Sequence, residues 1–176
     1  MKAFALGFVI GIVVLPICGY SYFRFGYAPV AASAAPMPFE KKMARLALHA
    51  RIGAEAPKSA PIQADERNLT AGAKIYWENC EFCHGVPNQP PTVAAKGMFP
   101  PPPQLLNAED MVADDPVGST YWKVYNGIRM TGMPGFHKSL SDIQIWQVSL
   151  MLSQADKLPE KTKTILGIAA PAQAIR

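Results

Sequence analysis

The 176 residues contain only three cysteines and three histidines. A zinc site usually takes four such ligands, commonly as two close pairs. One close group exists, Cys80-Glu81-Phe82-Cys83-His84, while Cys18, His49 and His137 stand apart and Cys18 falls in an apolar N-terminal run. Strand patterning is also scarce. No segment sustains an apolar–polar alternation, which argues against the βαβ setting in which a thioredoxin-like dithiol works. A basic excess is missing from the central part of the chain. Between Asn68 and Leu158 six Lys/Arg meet eight Asp/Glu, so the net charge of +4 is carried by the flanks. A nucleic-acid partner would need a basic face on the folded part, and none is expected. No internal repeat is present.

Against these absences stands one long apolar run. Ala3 to Phe23 is uncharged and bounded by Lys2 and Arg24; at 1.5 Å per residue it would span about 31 Å as a helix, enough to cross a bilayer. Residues 1–24 therefore read as a transmembrane anchor or a signal peptide. The small residues of "APVAASAAP" would permit cleavage, for instance after Ala34. The large Ile17 before Cys18 disfavours a lipid-anchor signal. Residues 25–67 read as a linker. Within it Phe39, Met43, Leu46, Ala47 and Ala50 recur at helical spacing, the mark of a short amphipathic helix packed on the main domain, a partner or a membrane surface. Residues 68–158 read as the compact domain and 159–176 as a tail.

Three helices are expected in that domain. The first leads into Cys80, with Leu69, Ala73, Tyr76 and Cys80 at helical spacing. A second opens with Asp115 as N-cap and Pro116 in its first turn, ends at Gly127, and places Tyr121, Val124, Tyr125 and Ile128 on one face. The third starts with a capping box from Ser141 to Gln144 and carries Ile143, Trp146 and Leu150 as its main apolar stripe, with Ile145, Val148 and Leu152 as a second row. The expected fold class is all-α.

Cys-x-x-Cys-His is the part of the sequence that carries chemistry. On a helix Cys80 and Cys83 share a face, with His84 one turn from Cys80. Two thiols so placed can add to the two vinyl groups of a haem while the neighbouring imidazole reaches its iron. One covalently attached haem c per chain is expected, held by Cys80 and Cys83 and ligated by His84. An electron-transfer haem needs a second axial ligand, a thioether or another imidazole. The candidates are Met98, Met111, Met130, Met133, Met151, His49 and His137. Met151 lies inside the last helix, where packing explains it. Met98 follows His84 by a short, proline-heavy path, and Met111 sits in an acidic loop; both read as packing or surface residues. His49 is upstream of the domain. Met133, between Gly132 and Gly135 and followed by Pro134, is the assigned ligand; His137 and Met130 are the competitors, and Met130 is otherwise expected to pack on the haem edge.

The order of these features resembles a monohaem class I c-type cytochrome of the membrane-anchored bacterial kind. "GAKIYWENCEFCHG" is similar to the first helix and haem motif of that family, "NGIRMTGMPGF" to its methionine loop and "LSDIQIWQVSLML" to its last helix. The resemblance implies a class I cytochrome c fold with a proline-rich loop, preceded by the apolar N-terminal helix and the linker. It implies His84 and Met133 on opposite haem faces, and a crossing of the first and last helices at Gly72, Tyr76 and Trp146. A carbonyl near the first proline after the motif would accept a hydrogen bond from His84, which places Pro87 beside the ligand. Tyr121, Trp122 and Arg129 are further candidates for the haem pocket, as partners of the propionates. Seven prolines between Pro87 and Pro103 should make a stiff extended wall.

The expected function is a periplasmic single-electron carrier rather than an enzyme. Its partners would be redox proteins such as a dehydrogenase, a cytochrome complex or a terminal oxidase, with the membrane engaged through the N-terminal helix. An alternative is the haem c subunit of a periplasmic dehydrogenase or oxidase complex; another is a gas-binding or peroxidatic haem with an open iron site. The family places the haem domain outside the bacterial inner membrane, either anchored or soluble after cleavage. Arg24, Lys41 and Lys42 on that outer flank, against Lys2 inside, run counter to the usual charge bias; the haem motif is given precedence.

Overall fold

The structure is a computed structural model and is described for residues 2–107 and 112–168. The described residues form helices and no strand, as the patterning predicts. The chain divides into two compact units, residues 1–44 and 45–176. In the first unit, α1 (Lys2–Arg24) is long and apolar enough to cross a membrane, a property shared by membrane anchors and signal sequences. Helix α2 (Glu40–Glu55) begins in the first unit and ends in the second.

The second unit is built on α3 (Glu66–Asn79) and α7 (Asp142–Ser153). Asp65 caps α3 by accepting from the Asn68 amide at 2.8 Å. Ser141 and Gln144 form the expected capping box on α7. The two helices cross at Gly72, where a Cβ would lie 2.2 Å from the Gln147 carbonyl oxygen and 2.8 Å from Met151 Cβ. Only glycine permits this approach. Tyr76 and Trp146, the aromatic residues of the implied crossing, are both buried. Both expected apolar rows of α7 are buried except at Ile143. Ile143 is 57% exposed, while Trp146 and Leu150 of the first row and Ile145, Val148 and Leu152 of the second are buried. Trp146 also stacks on Tyr121 of α6 (Val117–Asn126), ring centroids 4.0 Å apart.

Further elements complete the unit. One-turn α4 (Glu81–His84) follows α3, and α5 (Val93–Gly97) interrupts the proline-rich stretch that was expected to be wholly extended. Asp115 does not cap α6; its carboxylate pairs with Lys123 at 2.9 Å. On α6, a Cβ at Gly118 would lie 1.7 Å from the Pro57 carbonyl oxygen, so the segment after α2 is laid directly on this helix. Residues 160–165, part of the stretch read as a tail, form α8 (Glu160–Ile165), which packs on α3. Leu158, Thr162 and Leu166 are buried there, and Thr162 meets Thr70 hydroxyl to hydroxyl at 3.2 Å.

Candidate cofactor site

Helix α3 ends at Asn79, and the chain re-forms one turn of helix around the motif. The amides of Cys83 and His84 both bond to the Cys80 carbonyl, at 3.1 and 2.8 Å. This turn brings Cys80, Cys83 and His84 to the wall of one cleft. Gly85 then reverses the chain with φ 66°, a conformation that favours glycine. Its carbonyl accepts a buried 2.7 Å hydrogen bond from the Tyr76 hydroxyl, which ties the turn back to α3. Burial raises the Tyr76 pKa, and the Cys80 and Glu81 charges act in the same sense, so the phenol stays a donor.

The cleft encloses about 790 Å³ of space that includes its open mouth. Its lining is apolar almost throughout: Leu105, Val124, Ile128, Phe136 and Leu152, with Pro100 to Pro103 along one side. Thr131, Gly132, Met133 and Pro134 also line it, so the methionine loop and the Cys-x-x-Cys-His turn border the same space. Burial pushes the Cys80 thiol up to about 12, with the neighbouring Cys83 adding to the effect.

The His84 ring is oriented by a long-range contact. Its Nδ1 lies 2.8 Å from the carbonyl oxygen of Pro103. A carbonyl only accepts, so Nδ1 carries the proton and Nε2 keeps its lone pair for a metal. Burial lowers the His84 pKa, opposed by the Pro103 bond, so the imidazole is favoured in its neutral, ligating form. This corrects the expectation for Pro87: the carbonyl comes from residue 103, nineteen positions on. The cause is the packing of the Pro100–Gln104 segment onto the motif. A Cβ on Gly85 would lie 2.6 Å from Gln104 Oε1, so the chain beside Pro103 is already in contact with the turn after His84.

The loop carrying Met133 is held by its own backbone. The Ile128 amide bonds to the Met133 carbonyl at 3.2 Å, and the Phe136 amide to that of Val124 at 2.9 Å. Gly127, at φ 70°, and Gly135 let the two ends of the loop touch: a Cβ on Gly127 would lie 2.5 Å from the Gly135 nitrogen. The Thr131 hydroxyl accepts from the Met133 amide at 3.1 Å and donates to the Ile128 carbonyl at 2.7 Å. Thr131→Val removes both bonds at nearly constant shape. It should cost about 1–2 kcal/mol in chemical denaturation, and an unchanged midpoint would show that the hydroxyl does not hold the loop.

The other candidates fall elsewhere. Met130, expected to pack, is 91% exposed with φ 61°. His137 is exposed, stacks on Tyr125 and turns its Nδ1 to the Tyr125 carbonyl at 3.1 Å. Met151 is core, and Met111 lies outside the described residues. Tyr121, Trp122 and Arg129 do not line the cleft. The Tyr121 hydroxyl bonds to Asp142, the Trp122 indole donates to Glu55 at 3.0 Å, and Arg129 is exposed. The hydrogen-bonding ends of Tyr121 and Trp122 are thus committed to α7 and α2 rather than to the cleft. Met98, read as packing or surface, does line the cleft. Pro103, Thr131 and Met98 are the site residues missed; only Thr131 carried a local signal, as a threonine inside a tight Gly-rich turn.

An all-helical fold that sets a Cys-x-x-Cys-His turn and a methionine loop around one apolar cleft defines a c-type cytochrome domain. The family model of cytochrome c oxidase, cbb3-type, subunit III matches residues 67–150. The chain is therefore a c-type cytochrome in this region, and haem-based electron transfer is what such a domain does. No curated protein matches the chain. Among solved structures, a chain of the Kuenenia stuttgartiensis reducing HAO-like protein complex is similar at 22% identity and TM-score 0.48. The match covers 77% of this chain and 54% of that one, so the present chain corresponds to about half of that chain's length.

Proposed function

We propose that this protein is an electron carrier with one haem c per chain, bound through thioethers to Cys80 and Cys83 and ligated by His84 Nε2 and Met133 Sδ. The observation that carries the reading is the shared cleft. Two thiols and an imidazole with a free Nε2 border it together with the Met133 loop, and the rest of the lining is nearly all apolar. Such a lining suits a flat apolar macrocycle, and a haem bound there supplies a reversible one-electron iron couple. The protein's part is to keep the geometry constant between oxidation states. Pro103 fixes the imidazole plane, and Thr131 with the Gly127–Gly135 contact fixes the loop of the thioether. Thioether ligation favours the reduced iron relative to a second imidazole.

The haem domain is placed on the periplasmic side of the bacterial inner membrane, with α1 as its anchor or as a signal sequence that is removed. Its partners are redox proteins. Retained, the anchor would confine the carrier to the membrane surface and raise its effective concentration near membrane-bound partners. A second reading, a haem subunit within an oxidoreductase complex, is favoured by the description of the matched family as an oxidase subunit. Co-purification of a catalytic partner from native membranes separates the two.

Denaturing mass spectrometry of the chain expressed with a haem-attachment system tests the covalent assignment. One haem mass should remain on the wild-type chain, and Cys80→Ala/Cys83→Ala should retain none. Loss of haem from the denatured wild type, or its retention in the double variant, contradicts the attachment.

A further inference from the structure

The proline-rich insert joins the two walls of the cleft. Thr92 caps α5, accepting from the Ala95 amide at 3.1 Å, and also donates to the Phe82 carbonyl at 2.7 Å. Phe82 belongs to α4, the turn that bears Cys83 and His84. Helix α5 is therefore fastened to the histidine wall, with Ala95 buried beneath it. Met98, which follows its last turn, reaches the other wall. A Cβ at Gly132 would lie 2.9 Å from Met98 Sδ and 3.3 Å from its Cε, so the thioether lies against the backbone immediately before Met133. Met98 lines the cleft on the side of the loop that carries Met133.

From this placement we propose that Met98 is a positioning residue. It clamps Gly132 from the α5 strap and holds the Met133 thioether ready for the iron. The inference rests on the ligand assignment above and goes beyond it by giving the loop an external support. Every bond described within the loop itself joins residues 124 to 136; Met98 supplies packing from a segment fixed to the histidine side. An unbranched thioether suits the task, because it fills an irregular gap against backbone without a polar requirement. Removing it leaves a void beside Gly132 into which the loop can move. A side chain of similar volume should preserve the contact.

The test compares Met98→Ala and Met98→Leu in the ferric holoprotein, by titrating imidazole against the long-wavelength sulfur-to-iron absorption band. In Met98→Ala half of the band should disappear at an imidazole concentration on the order of tenfold lower than in the wild type, whereas Met98→Leu stays within about twofold of wild type. An unchanged midpoint in Met98→Ala overturns the clamp. A midpoint for Met98→Leu as low as that of the alanine variant overturns it also, because packing would not then be the cause. A wild-type protein with no sulfur-to-iron band defeats the Met133 assignment itself, a result distinct from failure of the clamp.

Discussion

Met133→Ala should lower the reduction potential by at least about 0.1 V, within the roughly 0.8 V over which axial ligands move haem potentials. The thioether is a soft neutral donor that stabilises Fe(II); water or an added imidazole in its place favours Fe(III). The neighbouring Met130 provides an internal control. It lies three residues away in the same loop, yet its side chain is 91% exposed. Met130→Ala should leave the potential within measurement error of wild type. Spectropotentiometric titration of both variants reads the difference. A common shift in the two would mean that loop composition, not ligation, sets the potential.

Gly72→Ala should destabilise the domain by on the order of 3 kcal/mol, at the upper end for an overpacked core. The added methyl would lie 2.2 Å from a backbone carbonyl of α7. No side-chain rotation relieves this, so α3 and α7 must separate. Since α3 leads into the Cys-x-x-Cys-His turn, the cleft would open with them. Against a total stability of about 5–15 kcal/mol the loss is large, equivalent to roughly 10 °C or more in thermal midpoint. At Gly53 in α2 an added methyl would have nothing within 4 Å. Gly53→Ala should be neutral or slightly stabilising, since alanine is the better helix former. Thermal unfolding followed by far-ultraviolet circular dichroism distinguishes the two; equal midpoints would remove the close crossing from the account.

Local chemistry was legible in the sequence, and long-range placement was not. Cys80, Cys83 and His84 fall on one helical turn, so spacing alone places them together. The Ser141–Gln144 cap and the Gly-Met-Pro-Gly surroundings of Met133 are local in the same sense. The His84–Pro103 bond spans nineteen residues of a stretch whose seven prolines look alike in sequence, and only the packing of Gln104 on Gly85 selects which carbonyl arrives. Trp122 illustrates the same limit. It was a candidate partner of the propionates, but its indole donates a hydrogen bond to Glu55, outside the expected domain. Both apolar rows of α7 were legible and both are buried; only Ile143, in the first turn, is exposed against its pattern. The helix formed by residues 160–165 is short and polar in sequence; burial of Leu158, Thr162 and Leu166 against α3 makes it part of the fold.

The ferric absorption spectrum tests the central claim most directly. Ligation by His84 and Met133 predicts a weak long-wavelength sulfur-to-iron band in the wild-type holoprotein that is lost in Met133→Ala. A wild-type spectrum without that band, or a band that survives Met133→Ala, would contradict the account.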